Sequence, residues 1–287
     1  MWTEVANQIS QLTGSKFEIK DRRSIGGGCI NQGYVLIGNT ETYFIKLNYT
    51  SSVEMFAAEA LGLKQMVATQ TIRVPKPICV GTVDDCAYIV LEWLELGGSN
   101  SKDSWAEMGR KLAAMHQASV ATTFGWEQNN TIGSTPQINT WTSDWVEFFV
   151  EYRLGYQFKL ARRRGGSFPQ QNQLLAAVPK LLNHQPKPSL VHGDLWGGNA
   201  AVTTSGEPVI LDPATYIGDR EVDMAMTELF GGFTAAFYGG YNQIWPLDGG
   251  YKRRKTLYNL YHILNHFNLF GGGYESQANR MIEEILS

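Results

Sequence analysis

Leu190-Val191-His192-Gly193-Asp194-Leu195-Trp196-Gly197-Gly198-Asn199 leads through Ala200-Ala201-Val202-Thr203-Thr204-Ser205-Gly206-Glu207 to Pro208-Val209-Ile210-Leu211-Asp212, and the reading of the chain turns on this stretch. Ser189-Leu190-Val191 reads as a short buried strand entering a loop. Ala200 to Thr203 and Pro208 to Leu211 read as two strands around a Ser205-Gly206 turn. A hairpin folds back on itself, so Asn199 at its start and Asp212 at its end come close together. Asp194, Asn199 and Asp212 are separated by 5 and then 13 residues. A phosphoryl-transfer site needs one carboxylate to orient the attacking hydroxyl, and an amide oxygen plus a second carboxylate to hold magnesium against a triphosphate. The kinase catalytic loop His-Arg-Asp-x-x-x-x-Asn has the same Asp-to-Asn interval. Asp, Asn and Gly are also ordinary turn formers. A plain surface hairpin is therefore the competing reading, and it requires His192, Asp194, Asn199 and Asp212 to coincide by chance.

Upstream, Ile25-Gly26-Gly27-Gly28-Cys29-Ile30-Asn31-Gln32-Gly33-Tyr34 lies between an expected strand over Phe17 to Ile25 and another over Tyr34 to Ile37. Glycines let backbone N–H groups approach a phosphate with no side chain in the way. A plain hairpin loop would look the same. The next expected strand, Tyr43-Phe44-Ile45-Lys46-Leu47, carries a lysine among apolar residues, either an edge charge or a contact to the α- and β-phosphates. A helix is expected from about Ser52 to Ala68, because Val53, Phe56, Ala57, Ala60, Leu61 and Lys64 follow a period near 3.6. Glu59 adjoins its apolar face and could hold Lys46 on the phosphates; Glu54 is the competing partner. Arg73 to Gly81 and Ala87 to Leu91 read as strands. Glu92-Trp93-Leu94 is then placed for a hinge whose backbone holds adenine. The order of parts favours the phosphate reading: glycine loop, strand lysine, helix glutamate, catalytic loop, metal aspartate.

The 287 residues suffice for one large domain or two small ones, and 43% hydrophobic with 12% aromatic residues gives an ample core. A net charge of −3 supplies no basic field, so nucleic acid is not an expected partner. Arg162-Arg163-Arg164 is the local exception, read as a solvated helix end that could also steer an anion. Met1 to Gly14 looks like an amphipathic helix rather than a signal peptide, and no apolar run approaches the roughly 18 residues of a membrane span. Three cysteines, Cys29, Cys79 and Cys86, show no metal-ligand spacing and suit a reducing cytoplasm. Cys29 lies in the glycine-rich loop near Lys46, where a positive environment would favour a reactive thiolate; simple packing is the alternative.

Gly97-Gly98-Ser99-Asn100-Ser101 marks the one plausible boundary, giving a strand-rich part over 1–95 and a helix-rich part over 96–287. Helical stripes follow: Trp105, Met108, Gly109, Leu112, Ala113 and His116; Trp141, Trp145, Phe148, Phe149, Tyr152 and Leu154; Val222, Met226, Leu229 and Phe230; Leu257, Leu260, Tyr261, Leu264 and Phe267. A last helix is expected from about Ser276 to Leu286. His116, His262 and His266 fall on or beside these stripes and read as core histidines rather than ligands.

With these motifs the sequence resembles the fructosamine kinases, also called ketosamine 3-kinases, within the protein-kinase-like group that includes aminoglycoside phosphotransferases and choline kinases. The resemblance spans essentially the whole chain. It is carried by Gly-Gly-Gly-Cys-Ile-Asn at 26–31, Gly109-Arg110-Lys111-Leu112-Ala113-Ala114-Met115-His116 and Arg153-Leu154-Gly155-Tyr156-Gln157. His192-Gly193-Asp194-Leu195-Trp196-Gly197-Gly198-Asn199, Asp212-Pro213-Ala214 and Asp219-Arg220-Glu221-Val222-Asp223 continue it. It implies an α+β, bilobal protein-kinase-like fold, with a small antiparallel-sheet N-lobe and a larger, mostly helical C-lobe. It also implies ATP-dependent phosphorylation of the 3-hydroxyl of a ketosamine, free or on a protein lysine, in protein deglycation. Carried over, Asp194 is the base, Asn199 and Asp212 hold Mg2+, Gly26, Gly27, Gly28 and Lys46 meet the phosphates, and Glu92, Trp93 and Leu94 form the adenine hinge. His192 and Asp223 support the loop. Asp219, a candidate substrate contact, stands where the family more often has histidine, which leaves the substrate detail near it open.

Two residue-level arguments point away from a protein kinase. Gly193 replaces the arginine that would pair with a phosphorylated activation loop, and only Pro213 to Gly218 separate Asp212 from Asp219. The acceptor is then a small molecule or a side-chain adduct. Trp196, and on one reading Trp245, could stack on a sugar or its amine substituent. The competing functions are a related aminoglycoside, choline or sugar kinase, and an inactive protein that only binds nucleotide. The expected state is a monomer, with a redox-dependent dimer through Cys29 as a further possibility.

Overall fold

The computed structural model describes residues 1–26, 30–98 and 101–287. Helix α1 (Trp2–Thr13) precedes strands β1 (Asp21–Ile25), β2 (Gln32–Ile37) and β3 (Thr42–Tyr49), helix α2 (Val53–Ala68), and strands β4 (Pro77–Val83) and β5 (Cys86–Glu92). The five strands make one antiparallel sheet in the order β1-β2-β3-β5-β4. Strand side chains alternate between faces. In β3, Tyr43, Ile45 and Leu47 pack with Val5, Ala6 and Ile9 of α1. Lys46 therefore points to the opposite face, toward α2. On that face Ala87, Ile89 and Leu91 of β5 join Phe56, Leu63 and Met66 of α2.

Two strands are shorter than the sequence suggests. β1 begins at Asp21, with Phe17 tucked instead against the ring of Tyr43 at 4.9 Å. β4 begins at Pro77, because Pro75 and Pro77 have no N–H to give a ladder. Arg73 forms an isolated parallel bridge with Val209 instead.

The larger lobe contains α3 (Lys102–Ala118), the hairpin β6 (Asn130–Ile132) and β7 (Thr135–Gln137), α4 (Trp145–Phe148), a π-helical stretch Phe149–Gly155, α5 (Tyr156–Arg163) and α6 (Gln171–Leu181). Strands β8 (Pro188–Val191), β9 (Ala200–Val202), β10 (Pro208–Ile210) and β11 (Tyr216–Asp219) follow, then α7 (Glu221–Leu229), α8 (Ala235–Ile244), α9 (Tyr251–Phe270) and α10 (Tyr274–Leu286). The expected helical stripe from Trp141 needs correction. The Asp144 side chain accepts the Glu147 N–H at 2.7 Å and starts the helix after Trp141, which is left exposed. His116 and His262 are buried and His266 half-buried, and burial lowers the His262 pKa to about 3. His116 and His262 belong to the core, and His266 packs at its edge among Phe230, Phe270 and Tyr274.

One apolar core runs from Phe56 and Leu63 of α2 and Leu91 of β5 through α3, α7 and α9 to Ile282 of α10. The smaller lobe's inner helix is thus packed as part of the larger lobe. The chain passing between them is fixed as well, since Gly97 and Gly98 donate to the Val202 carbonyl and Leu96 bridges Thr203.

Candidate active site

The hairpin β9–β10 and the antiparallel pair β8–β11 carry the loop residues. The Leu211 N–H donates to the Asn199 carbonyl at 2.9 Å, which closes the hairpin and brings Asn199 beside Asp212. Asn199 Nδ2 donates to the Asp194 carbonyl at 2.8 Å and lies 3.5 Å from both Asp194 Oδ2 and the Asp212 carbonyl. That commitment turns Asn199 Oδ1 the other way, as an acceptor for a ligand. Asp212 stands at φ 53 with its side chain 56% exposed. A non-glycine residue in this left-handed region is held there by its surroundings.

Lys46 joins the lobes. Its Nζ lies 2.7 Å from Glu59 Oε1 and 2.5 Å from Asp212 Oδ1, and its side chain is 8% exposed. Burial would lower the lysine pKa, but Glu59 and Asp212 outweigh it and raise the pKa, so the ammonium stays charged. Glu59, and not Glu54, is the partner α2 presents. Asp194 is partly open to solvent. Burial, then the carboxylates of Asp212 and Asp223, push its pKa up to about 7. Glu59, Asp212 and Asp194 bring three carboxylates to the site against the single charge of Lys46, and with the Asn199 amide oxygen they leave it short of positive charge. This set of hard oxygen donors suits a hard divalent cation.

Behind the loop, Asp223 is fully buried and accepts from His192 N at 2.7 Å, Gly193 N at 2.8 Å and His116 Nε2 at 3.0 Å. Asp194 N–H donates to His192 Nδ1 at 3.2 Å, so Nε2 carries the proton donated to the Leu211 carbonyl at 2.7 Å. Burial lowers the His192 pKa, in keeping with this neutral ring. Gly193 stands at φ 83, and a Cβ there would lie 2.2 Å from the Ala214 carbonyl oxygen. No other residue fits this position without moving the loop.

The remaining predicted residues are placed as follows. Trp196 is 41% exposed, and its indole lies against Gly198, where a Cβ would approach it within 2.3 Å. The Glu92 N–H is taken by the Lys76 carbonyl, and its carboxylate by Arg73 and the Lys76 N–H. The Glu92 N–H is therefore already engaged within the sheet-bearing lobe. Among the described residues no backbone carbonyl takes the N–H of Trp93 or Leu94. Gly26 has open space around it; Gly27, Gly28 and Cys29 lie outside the described residues. Asp219 is corrected as a substrate residue. It is 2% exposed, with Oδ2 taken by His184 and Tyr258 and Oδ1 by the Glu221 N–H. Trp245 is half-buried, with Arg220 4.0 Å over its ring and bonded to its carbonyl, which is a packing role.

Sequence reading missed the support behind Asp223. His116 Nδ1 contacts Tyr241 Oη at 2.8 Å, and Arg220 donates to the same oxygen at 3.2 Å. The only signal was His116 and Arg220 standing inside recurring motifs, with no spacing to link them.

A sheet-bearing lobe and a helical lobe joined by a lysine between two carboxylates, one of them on a loop with an Asp and an Asn, define an ATP-dependent phosphotransferase of the protein-kinase-like fold. The sequence profile described as Fructosamine kinase matches residues 1–287. The chain is 61% identical to a probable ketoamine kinase of Synechocystis sp., over 99% of this chain and 97% of that protein. It is 46% identical to the chloroplastic protein-ribulosamine 3-kinase of Arabidopsis thaliana, over 95% of this chain and 85% of that protein. The crystal structure of a putative fructosamine-3-kinase from Haemophilus somnus matches with a TM-score of 0.93 and 31% identity, covering 100% of this chain and 98% of that one. The chain belongs to the fructosamine kinase family.

Proposed function

We propose that the protein transfers the γ-phosphoryl group of ATP to the 3-hydroxyl of a ketosamine, a sugar adduct on a small amine or a protein lysine, and so acts in deglycation. The observation that carries this is Lys46 held between Glu59 and Asp212, with Asp194 and Asn199 on the same short loop. Lys46 meets the phosphates, and Glu59 and Asp212 keep its ammonium in place. Asp194 accepts the proton of the attacking hydroxyl. A carboxylate with a pKa of about 7 suits that work, because it takes up a proton readily near neutrality. Asn199 Oδ1 and Asp212 are the donors for Mg2+, which when bound neutralises charge on the phosphates. Asp223 and His192 hold the loop backbone and touch no substrate. From the hinge, the Leu94 N–H and the Glu92 carbonyl remain for adenine.

Trp196 presents an indole face backed by Gly198, a platform for the sugar or its amine substituent. The motif containing it favours a ketosamine over an aminoglycoside or choline. Nothing in the lysine, loop and metal positions is lost, which argues against a protein that only binds nucleotide. We place the protein in a reducing compartment, the cytoplasm, as a monomer. Cys79 is buried, with burial pushing its pKa up to about 12, and Cys86 is half-buried; a redox-linked dimer is assigned to Cys29 for its place in the glycine-rich loop. No helix of the described residues is long and apolar enough to cross a membrane.

The test is an ATP-consumption panel with fructosamine, ribulosamine and erythrulosamine adducts, against aminoglycosides and choline. Ketosamines should support turnover. Turnover confined to the second group would overturn the acceptor assignment, and no ATP binding at all would overturn the whole proposal.

A further inference from the structure

Gly62 occupies the middle of α2, where glycine costs about 1 kcal/mol relative to alanine. Its neighbour explains the cost. A Cβ on Gly62 would lie 2.6 Å from Thr215 Oγ1 and 2.9 Å from Thr215 Cβ. Glu59 and Gly62 are three apart on the helix and share a face. Thr215 follows Asp212 by three residues. The face of α2 that carries the glutamate of Lys46 is therefore seated on the segment that carries the other carboxylate of Lys46.

Both partners are fixed from behind. Thr215 is 1% exposed; its carbonyl accepts from Asn130 Nδ2 at 2.8 Å, and the Ala214 carbonyl accepts from Gln137 Nε2 at 3.0 Å. Asn130 and Gln137 belong to β6 and β7, and Asn139 ties Asn130 to the fully buried Arg153. One further step along the same face of α2, Gln65 accepts from Trp126 Nε1 and donates to Glu127, both at 2.8 Å. The Thr215 hydroxyl itself has no hydrogen-bond partner among the described residues, so its contribution here is shape.

We infer that Gly62 and Thr215 are positioning residues: their close contact sets the distance between Glu59 and Asp212, and so holds Lys46 and the metal carboxylate in register without a switchable activation segment. This rests on the reading of Lys46 and Asp212 as nucleotide and metal contacts. Because α2 shares the helical lobe's core, the clamp is permanent.

The test measures MgATP affinity by calorimetry with no acceptor present, in wild type, Gly62→Ala, Thr215→Gly and the double variant. Gly62→Ala should weaken MgATP at least tenfold and raise the magnesium concentration needed for half-maximal activity. The acceptor KM should stay within twofold. Adding Thr215→Gly, which moves the missing Cβ to the other side of the contact, should restore most of the affinity. Ile282→Val, in the core of α10, supplies a variant that loses stability alone and should leave MgATP affinity unchanged. If Gly62→Ala does not fold, Asn130→Ala removes the hydrogen bond to the Thr215 carbonyl and should weaken MgATP severalfold. Gly62→Ala, or failing it Asn130→Ala, binding within twofold of wild type would overturn the inference, as would a double variant no better than the single one. A wild type that does not bind MgATP would overturn the proposed function, and this inference with it.

Discussion

Asp223→Asn isolates the support of the loop from its chemistry, because the side chain keeps its shape and loses its charge. The carboxylate accepts three hydrogen bonds in a fully buried setting, two from backbone N–H groups and one from His116. Asparagine has one acceptor oxygen. Placed where Oδ2 stands, it keeps His192 N–H and His116 Nε2 but turns its own NH2 toward the Gly193 N–H. Losing that charge-assisted bond and leaving a buried donor unpaired costs roughly 3 kcal/mol. For a chain of 287 residues that corresponds to a melting temperature lower by about 5 °C at neutral pH. Turnover should fall too, since the bond from the Gly193 N–H to Asp223 helps to hold that residue at φ 83.

The pH dependence has a definite sign. Burial by itself would raise the Asp223 pKa, but the hydrogen bond and charge of His116, the His192 ring and the Gly193 N–H hold it below the ordinary carboxylate range. A carboxylate depressed in the folded state adds stability that is fully present above its unfolded pKa and is lost as pH falls through its folded one. The stability gap between wild type and Asp223→Asn should therefore be widest near pH 7 and narrow below about pH 4. Denaturant titrations at several pH values measure it. A variant as stable as wild type at pH 7, or a gap that stays constant into acid, would refute the reasoning.

Asp194→Asn should lower kcat by orders of magnitude while leaving MgATP affinity nearly intact, because it removes an interaction made in the transition state; retention of more than about a tenth of turnover would count against the base role. Asp212→Ala takes a carboxylate from both the metal and Lys46, so calorimetry should show MgATP binding weakened together with turnover. Gly193→Ala must place a Cβ 2.2 Å from the Ala214 oxygen at a positive φ, and should cost roughly 3 kcal/mol or more, read as a lower melting temperature. Cys29→Ala tests the thiol: wild type should lose activity to diamide, recover with reductant and be protected by ATP, and the variant should resist. Equal rates of loss would leave the cysteine as packing.

The sequence by itself determined whatever repeats with a short period or spans a short loop. Alternation placed Lys46 on an apolar strand, the 3.6 period placed Glu59 on the helix behind it, and a hairpin of fixed length made Asn199 and Asp212 neighbours. Local backbone geometry governs such features, and a few residues encode it. Helix and strand ends were less legible where a cap or a proline decided them, as at Asp144 and Pro77.

Only the tertiary structure decided which distant groups meet. Lys46 and Asp212 are 166 residues apart, and His116 and Asp223 are 107 apart. Asp219 looked available in the sequence, yet it is taken by His184 and Tyr258. Gly62 is a poor helix former in mid-helix on propensity, and its reason, Thr215 packed against it, lies 153 residues away. A buried polar group must find a partner, and a close-packed core admits few arrangements. Those partners are chosen by how the two lobes pack, which no local pattern in the chain records.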